Sequence, residues 1–167
     1  NKRSQMALTE LVAHKERFEI LTVNGAMGED ACRELGLNYR LVYHSKGESK
    51  EESEGKSEGK SEGKSKGKSN TTAQDSRNAA KVLAEAKVDL IVFAGGDGTA
   101  RDICAIVDTG ALVLGIPAGC KIHSGVYAVT PKAAGRLLAM LVSGEMLSVA
   151  DADVMDIDEV AFRQGAV

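Results

Sequence analysis

Apolar and polar positions fall into blocks of helical and strand-like spacing that take turns along the chain. Residues 4–15 carry Met6, Leu8, Leu11 and Val12 near helical spacing, which predicts a helix. Residues 18–23, FEILTV, predict a strand. A short helix is expected over 28–35, after a glycine-containing turn, and a second strand over Tyr39–Tyr43. Thr71 or Thr72 then caps a helix reaching about Lys87. Thr71 with Gln74 fits a capping box, and Ala79, Ala80, Leu83 and Ala86 form the buried stripe. Residues 89–94, DLIVFA, are nearly all apolar, as a central parallel strand covered on both faces should be. A turn at 95–98 leads to a helix over about 99–107, and 111–116, ALVLGI, predicts another buried strand. Thr130 caps a further helix with Pro131 in its first turn. Ala134, Leu137, Leu138 and Leu141 are expected to face inward, and Ser143 with Gly144 to stop it. Residues 148–157 predict a last, more polar strand. Alternation of this kind means an α/β fold with a mostly parallel sheet, whose ligands sit beyond the carboxyl ends of the strands.

One stretch breaks the pattern. Residues 46–69, KGESKEESEGKSEGKSEGKSKGKS, contain no apolar side chain and repeat a Ser-Glu-Gly-Lys unit. Seven Lys nearly balance six Glu there. Such a segment cannot bury enough surface to offset its ordering entropy and is expected to be a disordered surface insertion, or else a tether. Its GKS triplets are not a phosphate loop of the Walker type, which needs a glycine-rich turn between a strand and a helix.

Composition narrows the function classes. The 167 residues are 43% hydrophobic, enough for one core. Lys and Arg number 21 against 24 Asp and Glu, for a net charge of −3. That excludes a strongly basic nucleic-acid binder. Aromatics at 4%, with no Trp, argue against a stacking platform for single strands. No apolar run approaches the roughly 18 residues of a membrane span. Cys32, Cys104 and Cys120 lack CxxC spacing and read as reduced thiols in a cytoplasmic protein. The chain opens on Asn without a signal-peptide pattern, which suits a processed chain or a piece of a longer one.

The sharpest local feature is LIVFAGGDGT, residues 90–99: a buried strand ends, three glycines surround Asp97, and a helix begins. Glycines let the backbone approach a ligand and adopt positive φ. The helix offers unpaired N–H groups and the positive end of its dipole. Together these suit a phosphate. A carboxylate beside phosphate is repulsive unless it holds a metal ion or accepts a hydrogen bond from a hydroxyl, both of which phosphoryl transfer requires. Helix-end donors should keep Asp97 ionised and therefore a weak base. The plainer alternative is Asp97 as a helix cap. Arg101, in the expected first turn of that helix, opposes the dipole and makes sense beside a bound phosphate, or simply as an exposed side chain. Lys121, His123 and Ser124 follow the next buried strand on the ligand side: Lys121 to neutralise phosphate charge and His123 to bond a ribose or phosphate, or else as solvated and backbone-bonded groups. His14 and His44 read as surface residues. Met27, Glu29 and Asp30 read as a cleft wall or as helix capping, Asp75 and Arg77 as a ligand-facing helix start or surface polarity. Asp151, Asp153, Asp156 and Asp158 read as a solvated strand rim or domain junction rather than a metal site, and Cys120 as a buried thiol.

These residues also carry a resemblance. GGDGT at 95–99 resembles the signature of the NAD kinase and diacylglycerol kinase superfamily. The blocks VDLIVFAGGDGTARDI (88–103), VLGIPAGCKIHSGVYAVTPKAAG (113–135) and DVMDIDEVAFRQG (153–165) are similar to the ATP-NAD kinase-like family, which includes relatives associated with acetoin catabolism. VNGAMGEDA (23–31) and TTAQDSRNAAKVL (71–83) fit it too. The likeness leaves out the insertion and about the first dozen residues. It implies a three-layer, Rossmann-like α/β nucleotide-binding domain over 1–150, with 151–167 opening a β domain whose remainder is absent, and a cleft between the two. It implies a kinase that moves phosphate from ATP or polyphosphate to the ribose 2′-hydroxyl of NAD with Mg²⁺. Its partners would be small nucleotides, not nucleic acid or membrane, and the full-length protein would form homo-oligomers. Gly95, Gly96, Gly98 and Thr99 would form the phosphate loop, and Asp97 would orient the acceptor hydroxyl or help organise Mg²⁺. A second loop, Gly-Ile-Asn-X-Gly in well-studied NAD kinases, reads Gly115-Ile116-Pro117-Ala118-Gly119 here. Pro in place of Asn removes a polar contact and stiffens the turn, which opens the identity of the acceptor. A nucleotide-binding accessory or sensor protein is the other reading.

Overall fold

The computed structural model describes residues 2–45, 71–108, 110–119, 122–145 and 148–154. The insertion at 46–69, Cys120, Lys121, Asp156 and Asp158 lie outside the described residues. In chain order the elements are α1 (Lys2–Thr9), a 3₁₀ turn (Val12–His14), β1 (Ile20–Val23), a 3₁₀ turn (Gly25–Met27), α2 (Glu29–Glu34) and β2 (Tyr39–Tyr43). Then follow α3 (Ala73–Glu85), β3 (Ile91–Gly95), α4 (Asp97–Cys104), β4 (Val113–Pro117) and α5 (Pro131–Val142).

The fold is α/β with short parallel sheets, as the alternation predicts. β1 pairs with β2, and β3 with β4, each pair parallel. Around β3 and β4 the layers are three. Ile91 and Phe93 point to one face, where they meet Ala80 of α3 and Ala100 and Ile103 of α4. Val92, Ala94 and Ile116 contribute to the other, with Ala7 of α1 and Ala134 of α5. Side chains alternate across a strand, so an unbroken apolar run serves both faces at once.

Several boundaries differ from expectation for local reasons. The first helix ends at Thr9, whose hydroxyl donates back to Gln5 O at 2.7 Å. The chain then tightens, Leu11 N donating to Leu8 O. The capping box of α3 is Thr72 with Asp75, not Thr71 with Gln74. Asp75 accepts from Thr72 N at 3.0 Å, Thr72 Oγ1 at 2.8 Å and Tyr43 Oη at 3.1 Å, while Gln74 donates to Asn78. Ala86 is exposed because it is the C-cap of α3 and no longer on its stripe. On α5 the inward face is Ala134, Gly135 and Leu138, and Leu137 and Leu141 are 38% exposed. The face is turned because α5 crosses α1 closely: a Cβ on Gly135 would lie 2.3 Å from Ala7 O. Over the described part of the last expected strand, 148–154, there is no strand. The polar side chains of Asp151 and Asp153 stay exposed, and Gly125 N donates to Asp153 O there.

Candidate functional site

β3 passes into α4 through a single residue. Gly95 ends the strand, Gly96 is the N-cap with extended backbone, and Asp97 is already the first helical residue. The helix therefore begins two residues earlier than the spacing suggests. Left-handed φ among the described glycines occurs at Gly25, Gly36 and Gly144, so the 95–98 turn does not use it. Close approach explains Gly95 instead, since a Cβ there would stand 2.4 Å from Thr99 Oγ1. Thr99 thus folds back against Gly95. Gly96 and Gly98 have nothing within 4 Å of the place a Cβ would occupy, which leaves that side of the turn open.

A second loop leans on the first. β3 and β4 stay in register to Gly95 and Pro117, and Ala118 N then donates to Gly95 O at 2.9 Å. Gly119 sits so close that a Cβ on it would be 3.6 Å from Gly96 Cα. From this loop His123 N donates to Asp97 Oδ2 at 2.9 Å and Ser124 N to Asp97 Oδ1 at 3.0 Å. Asp97 does not cap α4, which has no side-chain cap bond; it clasps the neighbouring loop. Desolvation pushes its pKa up, but the Ser124 hydroxyl, the His123 and Ser124 amides and the His123 side chain together bring it below the ordinary value. The carboxylate is ionised at neutral pH and a weak base, as the sequence predicts, though the donors come from the second loop rather than from its own helix.

Of the other expected site residues, Ser124 is buried and His123 exposed. Arg101 lies in the last turn of α4, not the first, because the helix starts at Asp97. There Arg101 is 4.0 Å from Asp102, which also takes Arg77 Nη2 at 2.6 Å. Arg77 and Asp75 are thereby structural, tying α3 to α4 and to β2. Glu29 accepts from Gly25 N at 2.8 Å and from Tyr39 Oη, which accounts for it as turn capping. One residue escaped the sequence reading: Tyr127 Oη donates to Gly96 O at 2.6 Å. Its aromatic character in an aromatic-poor chain was the available signal.

No three His, Cys, Asp or Glu among the described residues gather as a metal site. The donor set at the loop, one ionised carboxylate, fits a Mg²⁺ that arrives on nucleotide phosphates, since such ions take one or two carboxylates and keep several waters. A depression of about 310 Å³ lies elsewhere, between Ala84, Val88, Ile91 and Ala111 at the amino ends of β3 and β4. Ligands of open parallel sheets bind at the opposite, carboxyl ends, where Asp97 stands. No helix among the described residues is long and apolar enough to cross a membrane.

The family model for the ATP-NAD kinase N-terminal domain matches residues 2–146. The match includes α1, which the resemblance in the sequence left aside. No curated protein and no solved structure matches the chain.

Proposed function

The chain belongs to the ATP-NAD kinase family, and from that premise we propose that it phosphorylates the ribose 2′-hydroxyl of NAD, with ATP or polyphosphate as donor. What carries this reading is the clasped Asp97 between two touching loops at the carboxyl ends of β3 and β4. In it Gly95, Gly96, Gly98 and Thr99 shape the phosphate loop, with Gly119, His123 and Ser124 on its facing side. Lys121, outside the described residues, belongs to the same second loop in sequence. An ionised carboxylate has about four acceptor positions. Two are taken by amides and the Ser124 hydroxyl competes for a third, which leaves room for an acceptor hydroxyl. Asp97 would then orient that hydroxyl rather than strip its proton early, which a loose phosphoryl-transfer transition state tolerates. Mg²⁺, when bound, would supply charge neutralisation on the donor phosphates. We place the activity in the cytoplasm, in keeping with free Cys32 and Cys104.

The test is NADP formation by the full-length protein with Mg²⁺, NAD and either ATP or polyphosphate, read with an NADP-specific dehydrogenase. Absence of NADP with every donor removes the NAD assignment. Asp97→Asn should lower kcat by about 10²-fold or more with folding intact; unchanged turnover overturns its role. A second reading, nucleotide binding without catalysis, is favoured by the same engagement of Asp97 with backbone amides. Calorimetric binding of NAD or ATP with no turnover would select it.

A further inference from the structure

Three elements are shaped to seat Tyr127. Its ring meets Phe93 of β3 edge-on, centroids 5.4 Å apart at 70°. Gly115 of β4 leaves the space beneath it, because a Cβ there would stand 2.3 Å from Tyr127 Cδ1. Gly115 N donates to Val126 O at 2.8 Å and Ala128 N to Gly115 O at 3.0 Å, so the backbone on both sides of Tyr127 is held to β4. Phe would fill this seat as well. The hydroxyl adds the 2.6 Å bond to Gly96 O.

That carbonyl also accepts from Thr99 N at 2.9 Å and Ala100 N at 3.1 Å. It belongs to the same planar trans peptide as the Asp97 N–H, and the two bonds point in opposite directions. Fixing the carbonyl therefore fixes the aim of the N–H, away from the first turn of α4. We infer that Tyr127 is a positioning residue: its hydroxyl sets the tilt of the Gly96–Asp97 peptide and so aims the Asp97 N–H at the diphosphate portion of a bound nucleotide. The inference rests on the kinase reading, which supplies the nucleotide. Burial foremost, with the charges of Asp97 and Cys104 adding, pushes the phenol above its ordinary pKa, so it remains a donor at neutral pH.

The diphosphate could come from the donor or from NAD, and Tyr127→Phe distinguishes them. The variant keeps the ring and loses one hydrogen bond. ATP with Mg²⁺ and NAD are titrated separately by calorimetry into the wild-type and variant full-length protein, alongside melting curves and steady-state kinetics. Expected is about a tenfold rise in Kd and KM for one of the two nucleotides, with kcat changed by less than about threefold, as for a contact made alike in ground and transition states. The nucleotide affected is the one whose phosphates lie at Asp97 N. A lower melting temperature with both affinities unchanged overturns the inference and leaves Tyr127 a core ring. Wild-type protein that binds neither nucleotide overturns it together with the kinase reading, an outcome told apart from the former by the wild-type titration itself.

Discussion

Asp97 holds a loop, and in the proposed reaction it would meet a substrate with the same two oxygens. Its pKa makes both jobs compatible: the Ser124 and His123 donors outweigh desolvation and keep it charged. The sign for stability follows from linkage. A carboxylate whose folded pKa lies below the unfolded value contributes stability above the unfolded pKa and loses it as pH falls through the folded one. Glu29 acts in the same direction, its pKa lowered first by the Gly25 amide, against desolvation, and further by Arg33 and Tyr39. Urea denaturation should therefore show stability falling as pH drops below about 5, through the ordinary carboxylate range and beneath it. Asp97→Asn should narrow that fall, and an undiminished fall would mean the clasp carries no stability. Turnover should stay flat on the acid side to about pH 5, since Asp97 remains ionised there. At this scale the sequence revealed the residue but not its partners. Gly95, Gly96, Asp97 and Gly98 are contiguous, so their chemistry is visible as a string. His123 and Ser124 were legible as polar neighbours of a loop, yet the groups they bring to Asp97 include backbone amides, which no residue type advertises.

The elements follow local rules until another element touches them. Thr130 caps α5, accepting from Ala133 N, with Pro131 behind it, as the spacing predicts. Gly144, at φ 80°, ends it. Of the expected inward face of α5, Ala134 and Leu138 are buried and Leu137 and Leu141 are not, because helical periodicity locates a stripe only to within a residue or so and a helix neighbour chooses among its edges. Here the choice is made by Gly135 against Ala7 O. Gly135→Ala should destabilise the protein by about 1–3 kcal/mol, the range for overpacking a tight contact, although alanine is the better helix former. Equilibrium urea unfolding measures it, and a gain in stability would show that α1 and α5 separate freely. The same logic explains the capping box. Thr71 and Thr72 offer equivalent caps in sequence, and Asp75 decides between them because Tyr43, from a strand 32 positions away, adds a further donor to its carboxylate.

For the whole molecule the balance lies between two apolar faces and one polar edge. α3 and α4 cover one face of β3 and β4, α1 and α5 the other, and the carboxyl edge collects both loops. A nucleotide gripped there binds the folded chain alone and should raise its stability, by about 2.7 kcal/mol at about 100 times Kd. A melting curve with ATP and Mg²⁺ that does not move would count against the site. The sequence by itself determined the alternation of elements, the parallel pairing of the strands and the position of the Gly-Gly-Asp-Gly turn. Each of these is written in short-range periodicity, in apolar runs and in residues adjacent along the chain. Only the tertiary structure decided which amides Asp97 accepts, why Gly95, Gly115 and Gly135 have no side chain, and that Tyr127 reaches Gly96. Apart from Gly95 against Thr99, those contacts join residues a dozen or more positions apart, where packing distance rather than residue order sets what can touch.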